Sequence, residues 1–284
     1  MSGNKKNEEF AQIKNLKSHS THHAEKAPGK FPVIFFVPGY GIPAQEYENI
    51  IIHLVSNGYI VIGLNSVFIS GDLQMPSGLI ANIITPDSDE QKNDLFNNSI
   101  SDLAFSVSHL KIKNTKEEIL NSIDWNKIAL VGHSLGSSTI AHFAQKTKLK
   151  VKAIVTLDLT IDLLCQNNCP NLVNIPFMHI FSSQFYKQSN DKCFPFYCPP
   201  KNKRPSPDEF LFVVNNIYND DSYSMHLSFT DYSTLQYHPE IELAIQSMLS
   251  KNPSDQFLGT GDGFTISQAV NKKILDFFQM FLIN

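Results

Sequence analysis

No run of apolar residues in this 284-residue chain approaches the ~18 needed to cross a bilayer, which excludes a helical membrane span from the sequence reading. A basic stripe is missing too. Lysine and arginine number 23 against 27 aspartate and glutamate, a net charge of −4, so no surface is expected to neutralise a nucleic-acid backbone. The basic residues from Lys201 to Arg204 fall in a proline-rich stretch and read as solvated. Met1 to Lys30 lacks the apolar core of a secretory signal. Residues 1–29 are read as a polar, flexible N-terminal segment, in which His22 and His23 are solvated imidazoles rather than metal ligands. Cysteine is scarce, and all four lie between Cys165 and Cys198 as the pairs Cys165/Cys169 and Cys193/Cys198. Disulfides, a four-thiolate zinc site and free thiols all fit that spacing. The disulfide reading implies a secreted protein and the thiol reading a cytoplasmic one.

What is present is an alternation of short apolar strands and amphipathic helices. Phe31 to Val37 is a β-rich run bounded by Pro32 and Pro38-Gly39. Ala44 to Ser56 carries Tyr47, Ile50, Ile51, Leu54 and Val55 at helical spacing and stops at Asn57-Gly58. Tyr59 to Leu64 is the next strand, completing a βαβ unit. Val67 to Asn97 reads as an irregular excursion, and Asn98 to Leu110 as a helix. Further on come strands at Val151 to Leu157, Pro176 to Phe181 and Phe210 to Ile217, then helices at Ile241 to Leu249 and Ile266 to Leu282. The last helix bears Phe277, Phe278 and Phe281; it is read as packing on the sheet rather than lying on a membrane, although peripheral lipid contact stays open. Alternation of this kind predicts one α/β domain over residues 30–284, with a mostly parallel sheet covered by helices on both faces. The functional residues are then expected just after the strand ends.

The segment from Ser122 to Phe143 supplies the chemistry. An apolar strand, Lys127 to Val131, runs into Gly132-His133-Ser134-Leu135-Gly136 and then a helix. A Gly-x-Ser-x-Gly between strand and helix is the form of a nucleophile elbow, and it predicts an α/β-hydrolase fold with Ser134 exposed above the sheet edge. Side chains at Gly132 and Gly136 would collide with neighbouring backbone.

A serine hydroxyl needs a histidine to take its proton and a carboxylate to orient that histidine. In this fold the acid and then the histidine follow the serine in the chain. Asp158, directly after the Val151 to Leu157 strand, is the chosen acid, with Asp162 and Asp191 as rivals. His226, expected in a loop after the Phe210 to Ile217 strand, is the chosen base. His179 lies inside an apolar strand and reads as a core residue, His133 as a packing and hydrogen-bonding residue, and His238 precedes Pro239. The oxyanion hole is assigned to the backbone N–H of Leu135 and of Tyr40, within Pro38-Gly39-Tyr40-Gly41. Phe194-Pro195-Phe196-Tyr197 is either a wall of the acyl pocket or a surface loop.

Four segments carry a family resemblance: Pro28 to Gly41, Asn57 to Val61, Ile123 to Ser134 and His226 to Tyr232. At these residues the chain resembles the plasma-type platelet-activating-factor acetylhydrolases and, more loosely, the cutinase- and chlorophyllase-like hydrolases. The resemblance implies a serine esterase that takes its acid after the strand following the elbow helix, matching Asp158, with oxyanion donors at Tyr40 and Leu135. Ser137 replaces a second glycine after the elbow, and Pro38 stands where a histidine is common. The polar N-terminus leaves little room for the antiparallel strands that usually open the fold, so a reduced sheet is expected at that edge.

These readings converge on a cofactor-free carboxylic-ester hydrolase acting on a small-molecule or lipid ester, with short-acyl or oxidised phospholipids among the candidates. A non-catalytic binding protein of the same fold, or an acyltransferase using the same triad, are the alternatives.

Overall fold

A computed structural model describes residues 20–112, 118–159, 175–182, 223–227 and 263–283, the backbone alone being described at 112, 181–182, 223–227 and 263–266. The four cysteines, Asp162, Asp191, His238, the aromatic run 194–197 and the expected elements at Phe210 to Ile217 and Ile241 to Leu249 lie outside the described residues. Six strands form one parallel sheet in the order β2-β1-β5-β6-β7-β8. They are β1 (Phe31–Val37), β2 (Ile60–Gly63), β5 (Ile123–His133), β6 (Val151–Leu157), β7 (Phe177–Ser182) and β8 (Tyr223–Leu227). A separate antiparallel pair, β3 (Leu73–Gln74) and β4 (Ile80–Ala81), sits in the excursion after β2. Among the described residues no antiparallel strand joins the main sheet.

Period-two alternation along β1 sends successive side chains to opposite faces. Val33, Phe35 and Val37 enter one apolar cluster with Leu103 and Val107 of α2 (Asp89–Ile112) and Ile140 and Phe143 of α3 (Leu135–Lys146). Ile34 and Phe36 enter the other, with Ile50 and Leu54 of α1 (Glu48–Ser56) and Val270, Ile274 and Phe278 of α4 (Gly263–Phe278). Helices therefore cover both faces. Phe277 and Phe278 are buried and Phe281 packs against the same cluster, which gives the closing helix its sheet-facing role.

Several boundaries differ from the sequence reading. The first helical segment opens as a 3-10 turn, Ala44–Tyr47, before α1. Its end is as expected: Gly58 has φ of 86°, and its N–H and that of Tyr59 turn back to Val55 and Leu54 carbonyls. Helix α2 starts at Asp89 rather than Asn98 because Ser88 caps it. Ser88 Oγ accepts the Gln91 N–H at 3.2 Å, and Gln91 Oε1 accepts the Asp87 N–H at 3.1 Å, a variant of the reciprocal capping box. The polar cluster taken for loop is a helix start. The strand before the elbow is longer than expected, reaching back to Ile123. His226 lies within β8 rather than in a loop, in a Tyr-Ser-Met-His-Leu stretch whose alternation suits an extended strand.

Candidate active site

Strand β5 ends at His133 and α3 begins at Leu135, so Ser134 alone makes the turn. Its φ of 49° and ψ of −117° are a conformation that side chains rarely adopt, and strain of this kind is a pointer to function. The turn is held from the neighbouring strand, since Ser134 N–H donates to the Leu157 carbonyl at 2.8 Å. Both glycines are required by contact. A Cβ on Gly132 would stand 2.5 Å from the Gly136 oxygen, and one on Gly136 would stand 2.1 Å from the Val37 oxygen. Ser137, which departs from the resembled pattern, adds a further stitch: its hydroxyl donates to the Gly132 carbonyl at 2.6 Å and accepts the Leu157 N–H at 3.2 Å.

Asp158 follows β6 directly and is fully buried, with a φ of 44°. Its N–H donates to the Ile180 carbonyl of β7 at 2.9 Å. The sheet register aligns the site residues. His133 pairs with Leu157, Leu157 with Ile180 and Ile180 with Met225. One residue further along each strand come Ser134, Asp158 and the pair Phe181 with His226. Three positions chosen from sequence thus share one row at the C-terminal edge of the sheet, on β5, β6 and β8. For His226 this is a backbone placement.

The loop between β1 and α1 runs beside the elbow. Pro38 has no N–H, Gly39 N–H donates to the Tyr47 hydroxyl at 3.0 Å, Gly41 N–H to the Ile69 carbonyl at 2.8 Å and Ile42 N–H to the Gly39 carbonyl at 3.3 Å. Between Pro38 and Ile42 the Tyr40 N–H is the donor left over among the described residues. Leu135, the first residue of α3, has no intrahelical acceptor for its N–H. The Tyr40 hydroxyl reaches away from the elbow to the Ile84 carbonyl at 2.6 Å and ties the excursion to the loop.

Sequence reasoning missed Tyr47, which it read as one more apolar residue on a helix face. Its ring is buried against Phe36, while its hydroxyl lies 2.6 Å from His133 Nδ1 and accepts the Gly39 N–H. One phenol therefore joins the Pro38 to Gly41 loop to the residue before Ser134. A buried tyrosine hydroxyl needs a partner, and that need was the available signal. Burial pushes the His133 imidazole down to about 3, so it is neutral at ordinary pH. His179 is held at about 3 by the same desolvation, hydrogen-bonded through Nδ1 to the Thr156 hydroxyl and set edge-on to Phe177. Both are structural histidines. Among the described residues no cluster of three or more metal-ligating side chains occurs, and no helix is long and apolar enough to cross a membrane.

Residues 21–174 match the family model described as chlorophyllase. No curated protein matches the chain. Among solved structures, a ferulic acid esterase from Streptomyces cinnamoneus superposes with a TM-score of 0.73 at 17% identity, over 95% of this chain and 73% of its own. Est1E from Butyrivibrio proteoclasticus gives 0.46 at 9% identity, over 88% and 89%. An acylaminoacyl peptidase from Pyrococcus horikoshii gives 0.49 at 14% identity, over 91% and 38%. The first of these likenesses establishes the α/β-hydrolase fold.

Proposed function

We propose that this chain, which belongs to the chlorophyllase family, is a serine carboxylic-ester hydrolase with Ser134 as nucleophile. The observation that carries the reading is the strained serine between two glycines that tolerate no side chain, at the C-terminal edge of a parallel sheet. Asp158 orients the base and His226 is that base. Their backbones are two strand spacings apart, about 10 Å, a span that a carboxylate and an imidazole together can bridge. Ser134 attacks the ester carbonyl as His226 takes its proton, and the tetrahedral oxyanion is met by the N–H groups of Tyr40 and Leu135. Collapse of that intermediate breaks the ester bond, with His226 returning the proton to the leaving alcohol. Water activated by His226 then cleaves the acyl-enzyme and releases a carboxylic acid.

The Tyr40 assignment is supported by the occupation of the neighbouring Gly39, Gly41 and Ile42 N–H groups. No cofactor is needed. The substrate is an ester with an apolar portion, because the excursion tied to the oxyanion loop exposes Phe68, Leu79, Ile80 and Ile84. The sequence resemblance to platelet-activating-factor acetylhydrolases favours a short acyl group, and short-acyl phospholipids are the lipid version of that substrate. A fluorophosphonate probe tests the nucleophile. Labelling of the native protein at Ser134, lost in Ser134→Ala, supports the reading, and equal labelling of both proteins sinks it. A chain-length series of soluble esters run beside short-acyl phospholipids then fixes the substrate.

A further inference from the structure

Helix α3 has its first turn at the elbow and its last at the opposite edge of the sheet, where β6 begins. There a cavity of about 500 Å³ opens between α2 and the end of α3. Its walls are mostly apolar: Ile100, Ala104 and Val107 from α2 face Phe143 and Leu149, with the hydroxyls of Ser101, Ser108 and Thr147 also lining it. Its rim carries Lys111, Lys146 and Lys148. A smaller recess of about 300 Å³ continues from Lys111 and Lys148 to Trp125, Lys150 and Lys152. Among the described residues neither recess is lined by an aspartate or glutamate, and none of these five lysines forms an ion pair or hydrogen bond. In a chain of net charge −4 this is a local concentration of one sign.

We propose that this groove is a second binding site, for a single-chain amphiphile with an anionic head: a medium- or long-chain carboxylate. The tail lies between α2 and α3, and the head meets Lys111, Lys146 and Lys148. The volume is within the usual ~300–1,000 Å³ of small-molecule sites, and the division into apolar walls and a cationic rim selects a ligand divided in the same way. A neutral chain would leave the lysines without a counter-charge, and a small anion would leave the walls wet. Free carboxylate rather than a bilayer is the chosen occupant because the apolar surface is recessed between two helices, where a flat membrane does not reach. The site uses no catalytic residue.

Photolabelling of the full chain with a diazirine-bearing dodecanoate, followed by peptide mapping, tests the assignment. The expected result is label within 100–111 and 143–149, competed by dodecanoate at least tenfold better than by dodecanol. Exchanging Lys111, Lys146 and Lys148 for glutamate should lower that labelling at least tenfold with an unchanged melting temperature. Ala104→Trp, which fills the tail cavity, should abolish it. The surface lysine variants keep the test decisive if the tryptophan variant does not fold. Label confined to the catalytic edge, equal competition by the alcohol, or binding seen only with phosphatidylglycerol vesicles would overturn the proposal. None of these readouts depends on ester turnover, so the hydrolase reading can fail without deciding this one.

Discussion

The two ends of helix α3 are built on opposite terms. At Leu135 the helix starts against backbone: Gly136 lies under the Val37 and Pro38 carbonyls, Ser137 bonds Gly132 and Leu157, and no charge enters the first turn. At Lys146 it ends in solvent beside an open groove, among lysines with no ion-pair partner among the described residues. One end is specified by close backbone approach, where a single methyl group has no room. The other is specified by side chains that can change without disturbing the sheet. A rigid elbow turn and a permissive charged rim can therefore share one helix.

Substitutions at the two ends should separate by orders of magnitude. Ser134→Ala should lower kcat by at least about 10⁴-fold with little change in melting temperature; ester turnover above a tenth of native would remove Ser134 from the mechanism. Gly136→Ala should destabilise the fold by about 3 kcal/mol or more, since the Cβ meets fixed carbonyls and not a flexible side chain. A urea midpoint close to native would show that the elbow can relax. Tyr47→Phe should reduce kcat by about 10- to 100-fold while KM stays within twofold, less than the ~10²–10³-fold cost of losing an oxyanion donor outright, because the Tyr40 N–H is shifted and not removed. Equal loss in KM and kcat would make Tyr47 a packing residue only.

The two buried histidines, His133 of β5 and His179 of β7, give the sheet a pH signature. His133 and His179 titrate near 3 in the folded chain and near 6.5 when unfolded. Below about pH 6.5 the unfolded chain takes up protons that the folded chain refuses, so the stability they contribute above that pH is lost as pH falls toward 3. Urea unfolding between pH 7 and pH 5 should show a falling midpoint, and His133→Asn should flatten that slope. The smallest effect is expected at the far end of the helix. Lys146→Ala should change stability by less than about 0.5 kcal/mol and leave turnover of soluble esters at its native value.

Much of the sheet was legible from sequence because buried parallel strands are continuous apolar runs; β1 and β6 were placed to the residue. The elbow was legible because its geometry demands glycine at two fixed offsets. Asp158 could be placed at a strand end, but neither its positive φ nor its complete burial is written in the local sequence. The start of α2 was missed because serine, aspartate and glutamine were weighed as loop formers, when Ser88 and Gln91 stand at the offset of a cap. Tyr47 and Ser137 were missed for a different reason. Their roles depend on polar atoms meeting residues far along the chain, and periodicity carries no information about such meetings. His226 was chosen for its place after the expected Phe210 to Ile217 strand, and the resemblance agreed with that choice; its strand conformation follows from pairing with β7, which no local pattern announces.

The pairing of β1 with β5 has a kinetic consequence. Val33 finds Ile128 only across the whole excursion and α2, and every other neighbour pair in the main sheet is likewise parallel and joined by a crossover. Closing such loops before any contact rewards them makes assembly slow. The Ser134 turn is complete only when β6 is in place to accept its N–H through the Leu157 carbonyl. During refolding, recovery of reactivity at Ser134 should therefore lag behind the return of helical signal, so that chemical competence reports completion of the central strands.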